Sequence, residues 1–537
     1  MIFKILILIS FFYVILYKTK RSLHMLQQNL YNENNRYLKW VFQNFTCFFD
    51  FDLLVVCLSI IGYCVIYDVS LLSNIFMILI VIVNIFLIIK LRNKMKKDQN
   101  KKPLVYTKRV KRLIFTTSIL YLIPFLFYIT CGDQRIDWIL LLIISFLSWI
   151  NYFVVFISNI INYPYERGVY YYYKYKAQSK LKSMENLKII GITGSYGKTS
   201  SKNILSDILN VRYNALPTPK NLNTYNGLIM TVNNHMDKFT DIFIAEMGAY
   251  VKGEIKGLCN LVHPKYGILT TIGTAHLETF GSEQNIIDGK FELIESLPHD
   301  GFAVLNGDDP KQVSYHLKNK VKVIWIGIDN KDVDVRATNI ACSGNGTTFD
   351  VHIKGDNKTF TFNTKLLGKH NVYNILAGIA FGIEFGIDMD DLIHAVRGVK
   401  PVEHRLELKR LGNFYQIDDA YNSNPVGAKN ACEVLSLMDG IKVVITPGMI
   451  ELGDKEFEYN KEFGKQIATI AKADYAVLIG EEKTKPIYEG LIDAGFDKSK
   501  IVVFNDVRVA YPFISSLTGK EEVYALFEND LPDTYNE

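Results

Sequence analysis

Long apolar runs crowd into the first third of this chain and constrain its fold more than any other feature. They cover approximately residues 2–17, 46–67, 71–91, 112–130 and 136–162 of 537. A helix needs about 20 apolar residues to cross the hydrocarbon core. The second to fourth runs meet that length, and the fifth exceeds it, with Trp138, Trp149, Tyr152 and Tyr163 where interface anchors are expected. The first run is short, and it reads either as a secretory signal or as a retained anchor. Tyr17, Lys18 and Thr19 offer no small-residue cleavage site, which favours the anchor.

Loop charges orient these runs. Lys90, Arg92, Lys94, Lys96, Lys97, Lys101, Lys102, Lys108, Arg109, Lys111 and Arg112 exceed the lone Asp98 by ten. The positive-inside rule puts that loop in the cytoplasm, together with Lys18, Lys20 and Arg21 and the stretch after the fifth run. The expectation is a bundle of about five transmembrane helices over residues 1–165, N-terminus outside. The basic loop has two readings, topology alone or binding of an anionic lipid or lipid-linked phosphate. Runs two to four are expected to carry no ionisable residue deep inside, hence no ion path.

Net charge over the whole chain is only +5, so everything outside the basic loop sums to −5 and nucleic acid is not an expected partner. Seven cysteines lie far apart and form no CxxC pair, as in a reduced, cytosol-facing protein. From Leu187 strand-like and helical runs alternate. Strands are expected at Lys188–Gly194, Asp241–Met247, Tyr266–Ile272, Phe302–Leu305 and Lys322–Ile328, with a small antiparallel insert over 333–366. A second, smaller open α/β unit follows, with strands at Asn413–Ile417, Lys442–Ile445, Tyr475–Ile479, Lys500–Phe504 and Glu522–Phe527. The expected order is the bundle, an ATP-binding α/β domain over 185–398, and a Rossmann-like α/β domain over 399–537.

Gly194-Ser195-Tyr196-Gly197-Lys198-Thr199 follows a strand and opens a helix, the setting of a phosphate loop. Glycines let backbone N–H groups approach phosphate oxygens, and the helix N-terminus adds partial positive charge. Lys198 can reach the β- and γ-phosphates, and the Thr199 hydroxyl can ligate Mg²⁺. Ile192 stands where the eight-residue form of this motif needs glycine, so the spacing is the shorter GxxGKT. The alternative is a glycine-rich turn with a surface lysine.

Gly191–Ser200 resembles the ATP loop of the Mur ligases, which build the peptide of bacterial cell-wall precursors. Four further blocks resemble the family in order: Ala245–Ala249 with Gly253-Glu-Ile255, Thr274–Glu278 with Phe280-Gly281, Gly368–Asn374, and Asp418–Pro425. The last is most similar to the branch that adds D-alanyl-D-alanine. The resemblance implies that ATP phosphorylates a substrate carboxylate and that an amine attacks the resulting acyl phosphate. Fixed cations and amides then stabilise the charge that both steps develop.

Residue roles follow from the resemblance. Gly194, Ser195, Gly197, Lys198, Thr199 and Ser200 would hold the ATP phosphates. Thr199 and Glu246 would bind Mg²⁺, and His276 would be a second metal ligand. Lys290, fourteen residues after His276, matches a lysine that carries CO₂ as a carbamate metal ligand in several members. A carbamate needs a neutral amine, so burial must lower its pKa. Asn371 and Asn374 would read the base, Arg405 the phosphates and Asp419 the ribose. Asn221, Asn223 and Thr224, in an asparagine-rich acceptor loop, and Tyr421, Asn422 and Asn424 would face substrates. Each has a plainer alternative: a strand-end carboxylate for Glu246, a surface imidazole for His276, a solvated helix lysine for Lys290, a helix cap for Asn371.

The match fails at both ends. No soluble uridine-binding module precedes the ATP domain, and the family's C-terminal Lys-Gly-Ser-Arg stretch is replaced by Glu528-Asn-Asp-Leu-Pro-Asp533. Those acids would bind a cationic amine or form a solvated tail. Lys220 also stands where glycine is usual. The expected activity is a membrane-anchored, ATP-dependent amide ligase of cell-wall precursor synthesis with cytoplasmic catalytic domains. Its acceptor is nucleotide- or lipid-linked, its donor an amino acid or dipeptide, and membrane proteins of wall synthesis are candidate partners. The alternatives are a poly-γ-glutamate-type polymer synthase and a non-catalytic ATP-binding scaffold.

Overall fold

The computed structural model describes residues 2–44, 51–66, 70–97, 103–273, 276–343, 346–420, 423–450, 452, 455–519 and 521–529. The chain divides into two compact units, Met1–Tyr172 and Tyr173–Glu537.

The N-terminal unit is helical, with helices at Ile2–Gln28, Arg36–Gln43, Phe51–Ile61, Ser70–Lys97, Lys108–Thr130, Gln134–Trp149 and Asn151–Lys182. Among the described residues two helical stretches are long and apolar enough to cross a membrane, Leu72–Asn93 and Lys108–Thr130. A third span counts only if Gln134–Trp149 and Asn151–Lys182 act as one, and they are bent by 83° at their junction. The expectation of five crossings is therefore met in part. The second run is a short apolar helix, Phe51–Cys64. The fifth run breaks at a polar node that hydropathy cannot see. Buried Asn151 donates to the hydroxyls of Tyr121 (2.9 Å) and Thr19 (3.0 Å) and accepts from Ser22 (2.7 Å).

Two further expectations are corrected. Trp138 is no interface anchor; it is fully buried, and its indole N–H donates to the Ser73 hydroxyl. Nor is the second run free of buried charge, because Asp52 pairs with Lys18 at 2.6 Å. Lys4 pairs with Asp137 at the same distance. A buried ion pair loses hydration that only close geometry and added hydrogen bonds offset. Lys4 meets that condition with a further bond to the Cys131 carbonyl at 2.7 Å.

The C-terminal unit holds two sheets. The first has β1 (Lys188–Thr193), β2 (Ala215–Pro217), β3 (Ile242–Glu246), β4 (Tyr266–Leu269), β5 (Phe302–Asn306), β6 (Lys322–Gly327), β7 (Val335–Ser343), β8 (Gly346–Ile353) and β9 (Thr359–Thr364). Their order is β2-β3-β1-β4-β5-β6-β7-β8-β9. β1 to β6 are parallel, with β1 central and its residues buried, as crossover connections require. The stretch over 333–366 is antiparallel, as expected, but it is no separate insert: β7 continues the main sheet by pairing in parallel with β6. Helix Lys198–Leu209 packs Ile204, Leu205 and Ile208 into the same core as Ile375, Leu376 and Ile379 of helix Lys369–Glu384.

The second sheet has β10 (Glu407–Leu411), β11 (Phe414–Asp419), β12 (Ile441–Thr446), β13 (Tyr475–Ile479), β14 (Ile501–Phe504) and β15 (Val523–Glu528), in the order β10-β11-β15-β12-β13-β14. Five strands match the expectation. β10 is an antiparallel edge whose half-exposed residues give little hydrophobic pattern. Apolar clusters cover both faces, one including Leu435, Phe463 and Leu478, the other Val443, Val477 and Ile514.

Candidate active site

The phosphate loop leaves the C-terminal end of the central strand β1, where ligands of open α/β sheets bind. A β-carbon on Gly194 would lie 1.9 Å from the Thr270 hydroxyl, so only glycine lets these segments meet. Gly197 enters helix Lys198–Leu209 at φ +81°, a left-handed conformation that glycine adopts without strain. Ser195 is tied back through its N–H to the Thr271 carbonyl (2.8 Å) and through its hydroxyl to the Gly273 carbonyl (3.1 Å). Lys198 folds over the loop, its ammonium donating to the carbonyls of Gly194 (2.7 Å) and Ser195 (3.2 Å). Burial holds its pKa below the ordinary lysine value; Glu246 opposes that shift and Arg405 adds to it.

Glu246 ends β3 with 1% of its surface exposed, which makes it more than an ordinary strand-end carboxylate. The Thr199 hydroxyl lies 3.2 Å from both of its oxygens. Asn223 donates to Oε1 at 3.1 Å, and Lys202 pairs with Oε2 at 2.8 Å. A hydroxyl and a carboxylate this close form a hard-oxygen pair suited to Mg²⁺, which keeps several waters and takes substrate phosphates for its other positions. Among the described residues no three His, Cys, Asp or Glu side chains form a ready metal cage.

His276 caps the short helix Leu277–Phe280, its ring 4.5 Å from that of Tyr250. Partial burial and the positive charges of Lys290 and Lys198 lower its pKa, which favours the neutral imidazole. Lys290 lies in helix Glu283–Glu295 with 2% exposure, so it is no solvated helix lysine. Burial, reinforced by Lys198, pushes its pKa down to about 7 against the pull of Glu254 and Glu292. Its ammonium stands 5.4 Å from the Phe280 ring centre.

One cleft joins the two sheets. Gly197 and Ser200 of the phosphate loop, with Asn374, face Arg405, Asp419 and Asn424 of the second domain across it. Other expected residues have structural tasks. Asn371 is buried and donates to the Leu367 carbonyl at 2.9 Å, and it does not line the cleft. Asn374 does, and it accepts from the Ser201 hydroxyl. Asn424 and Thr224 cap helices Pro425–Ser436 and Tyr225–Asn234, and Asn221 lines a second recess. Tyr421 and Asn422 lie outside the described residues.

The profile of the Mur ligase middle domain matches residues 192–382. The chain is 36% identical over 285 residues to the UDP-N-acetylmuramoyl-tripeptide–D-alanyl-D-alanine ligase of Bacillus subtilis, covering 52% of this chain and 60% of the relative. It is 30% identical over 297 residues to the Escherichia coli enzyme of the same name, covering 55% and 65%. Over this region the chain is similar to the Mur ligases. It spans less than two thirds of the length of either relative. A crystal structure of MurF from Acinetobacter baumannii superposes with a TM-score of 0.60 at 27% identity, covering 67% of this chain and 77% of that one.

Two features of this site are not evident from the sequence. Lys202 is as buried as Glu246 and also donates to the Lys220 carbonyl at 2.6 Å. One turn after Lys198, it resembles any helix lysine; its position between apolar Ile204 and the loop was the available signal. Asp308 receives the N–H groups of Ile328 (2.6 Å), Asn330 (2.6 Å) and Asp329 (3.1 Å), and the Tyr373 hydroxyl (2.8 Å). Burial raises its pKa, but these donors outweigh burial and hold it below the usual carboxylate range. Tyr373 lines the cleft, so Asp308 fixes part of its wall. The Asp308-Asp309-Pro310 run after β5 was the signal there, because paired acids before proline mark a built turn.

Proposed function

We propose that the chain is an ATP-dependent carboxylate–amine ligase that adds D-alanyl-D-alanine to a muramoyl-tripeptide acceptor, held at the membrane by its N-terminal helices. The observation that carries this reading is the cleft itself. Gly197 and Ser200 of the phosphate loop face Arg405 and Asp419 of the second domain across it, and Thr199, next to Ser200 in the chain, lies 3.2 Å from both oxygens of buried Glu246. The named relatives supply the substrate class.

ATP binds with its phosphates on the loop N–H groups and Lys198, its base side towards Asn374 and its ribose towards Asp419. Thr199 and Glu246 would hold Mg²⁺, and His276 with a carbamate on Lys290 would hold a second ion; a bound metal would supply positive charge to offset that of the phosphates. An oxygen of the acceptor carboxylate attacks the γ-phosphorus, the bond to the ADP oxygen breaks, and an acyl phosphate forms. The donor amine, having lost a proton, attacks the acyl carbon; the carbon–oxygen bond to phosphate breaks and the amide remains. Lys198 and Arg405 stay fixed over the charge that develops in both steps. Because Arg405 and Asp419 come from the second domain, closure of the cleft completes the site and excludes water.

The test is phosphate release by the detergent-purified full chain, with product masses. UDP-N-acetylmuramoyl-tripeptide plus D-alanyl-D-alanine is one arm, and the lipid-linked precursor with the same donor is the other. Turnover on the nucleotide makes the helices an anchor. Turnover only on the lipid-linked acceptor makes them part of substrate binding. No amide in either arm refutes the reading.

A further inference from the structure

A second recess opens at Thr199 and shares Arg405 with the nucleotide cleft. Three separate segments build it: the helix of Thr199 and Lys202, the loop of Lys220 and Asn221, and the domain connection of Lys400 and Arg405. Its character is cationic. Lys202, Lys220, Lys400 and Arg405 line it against two acids, Asp207 and Glu403, which leaves an excess of positive charge. Neither the Lys220 nor the Lys400 ammonium has an ion pair among the described residues.

Lys220 is an unexpected residue at its position. Its φ is +49°, in the left-handed region that favours glycine and that a long L side chain enters at a cost. The backbone is pinned there from inside, because buried Lys202 donates to the Lys220 carbonyl while pairing with Glu246. Lys220 itself is exposed. A strained cation is therefore held beside the metal-binding carboxylate. Packing does not explain it, since an exposed lysine contributes little there.

We infer that Lys220 and Lys400 bind a carboxylate of the acceptor other than the one that is phosphorylated, and so select acceptors with two acidic groups. This rests on the ligase reading above. The reacting carboxylate must reach the γ-phosphate beside Thr199 and Glu246. The nucleotide takes the cleft, and the recess that meets it at Arg405 and reaches Thr199 receives the body of the acceptor. Two unpaired ammonium groups there give a second carboxylate its counter-charge and disfavour acceptors without one.

The experiment uses the full-length protein with Lys220→Gly and with Lys220→Gly/Lys400→Ala. Glycine suits the backbone at 220, so the melting temperature should hold or rise, which separates loss of charge from loss of fold. With UDP-N-acetylmuramoyl-tripeptide as acceptor, its KM should rise about tenfold for the double variant, the loss of about one charged contact. The KM for ATP should stay as in the parent. Unchanged acceptor KM, or an equal rise in both KM values, overturns the proposal. A second arm needs no turnover. With a non-hydrolysable ATP analogue bound, glutarate and inorganic phosphate are titrated calorimetrically into parent and double variant. Glutarate binding that weakens at least fivefold in the variant supports the site, and equal binding refutes it. Phosphate binding as tightly as glutarate to the parent refutes the carboxylate assignment. Should the parent turn over no muramoyl acceptor, the ligase reading fails while this arm still decides the recess.

Discussion

Lys202 and Glu246 form an ion pair at 2.8 Å with 1% of each residue exposed. Between two ions so deeply desolvated, each partner is the other's main compensation. The pair also joins the metal side of the site to the acceptor loop, because the same ammonium holds the Lys220 carbonyl.

Lys202→Met should therefore lose more than an ordinary helix lysine would. Leaving Glu246 buried without its cation costs about 3–5 kcal/mol, read as a fall in the urea midpoint. Adding Glu246→Gln should restore most of that stability and none of the turnover. Additive losses in the double variant would show that the two residues act independently.

Lys198 has a different kind of role. Its ammonium rests on loop carbonyls, and it has no ion pair among the described residues. Lys198→Ala should leave the melting temperature within a few degrees of the parent. It should lower kcat by at least about 100-fold, the scale for removing one preorganised group from developing charge. Full activity in this variant would remove the phosphate loop from the mechanism.

Lys290 offers a spectroscopic test. With its pKa at about 7, the neutral amine that captures CO₂ becomes the major form as pH rises through 7. Protein equilibrated with ¹³C-bicarbonate at pH 8 should show a carbamate carbonyl signal that weakens by pH 6. Lys290→Arg should abolish the signal, because a guanidinium stays charged. A signal that survives in that variant would belong to another lysine.

The phosphate loop was legible because its chemistry is local: a strand, two glycines, a lysine and a helix start lie within a dozen residues. Resemblance singles out Glu246 and Lys290 as candidates, but their burial was not legible, since it depends on which helices cover them. Lys202 escaped because this helix residue's partner lies on a strand 44 residues away. The break before Asn151 escaped for the same reason. Hydropathy records an apolar run and is blind to the hydroxyls of Tyr121, Thr19 and Ser22 that a buried amide finds only after folding. The short or half-exposed strands β2 and β10 left too few alternating residues to show a period.

The last prediction concerns two acids placed side by side. Asp419 and Glu528 are registered partners on β11 and β15, and Glu528 is fully buried, its Oε1 taking the Ser423 hydroxyl while Oε2 has no hydrogen-bond partner. Burial pushes the Asp419 carboxyl up to about 6 against the pull of Arg405, and burial with the Asp419 charge pushes Glu528 well above the glutamate range. A carboxyl whose pKa is higher folded than unfolded binds more protons in the native state, so folding stability falls as pH rises between the two values. The ordinary values are about 4, so the loss begins near pH 4, passes through the Asp419 value and continues upward for Glu528. Glu528→Gln removes that liability and keeps the bond from Ser423. It should raise the melting temperature more at pH 8 than at pH 5, as measured by circular dichroism. A gain independent of pH would mean that Glu528 is already charged in the folded protein and balanced by Arg405.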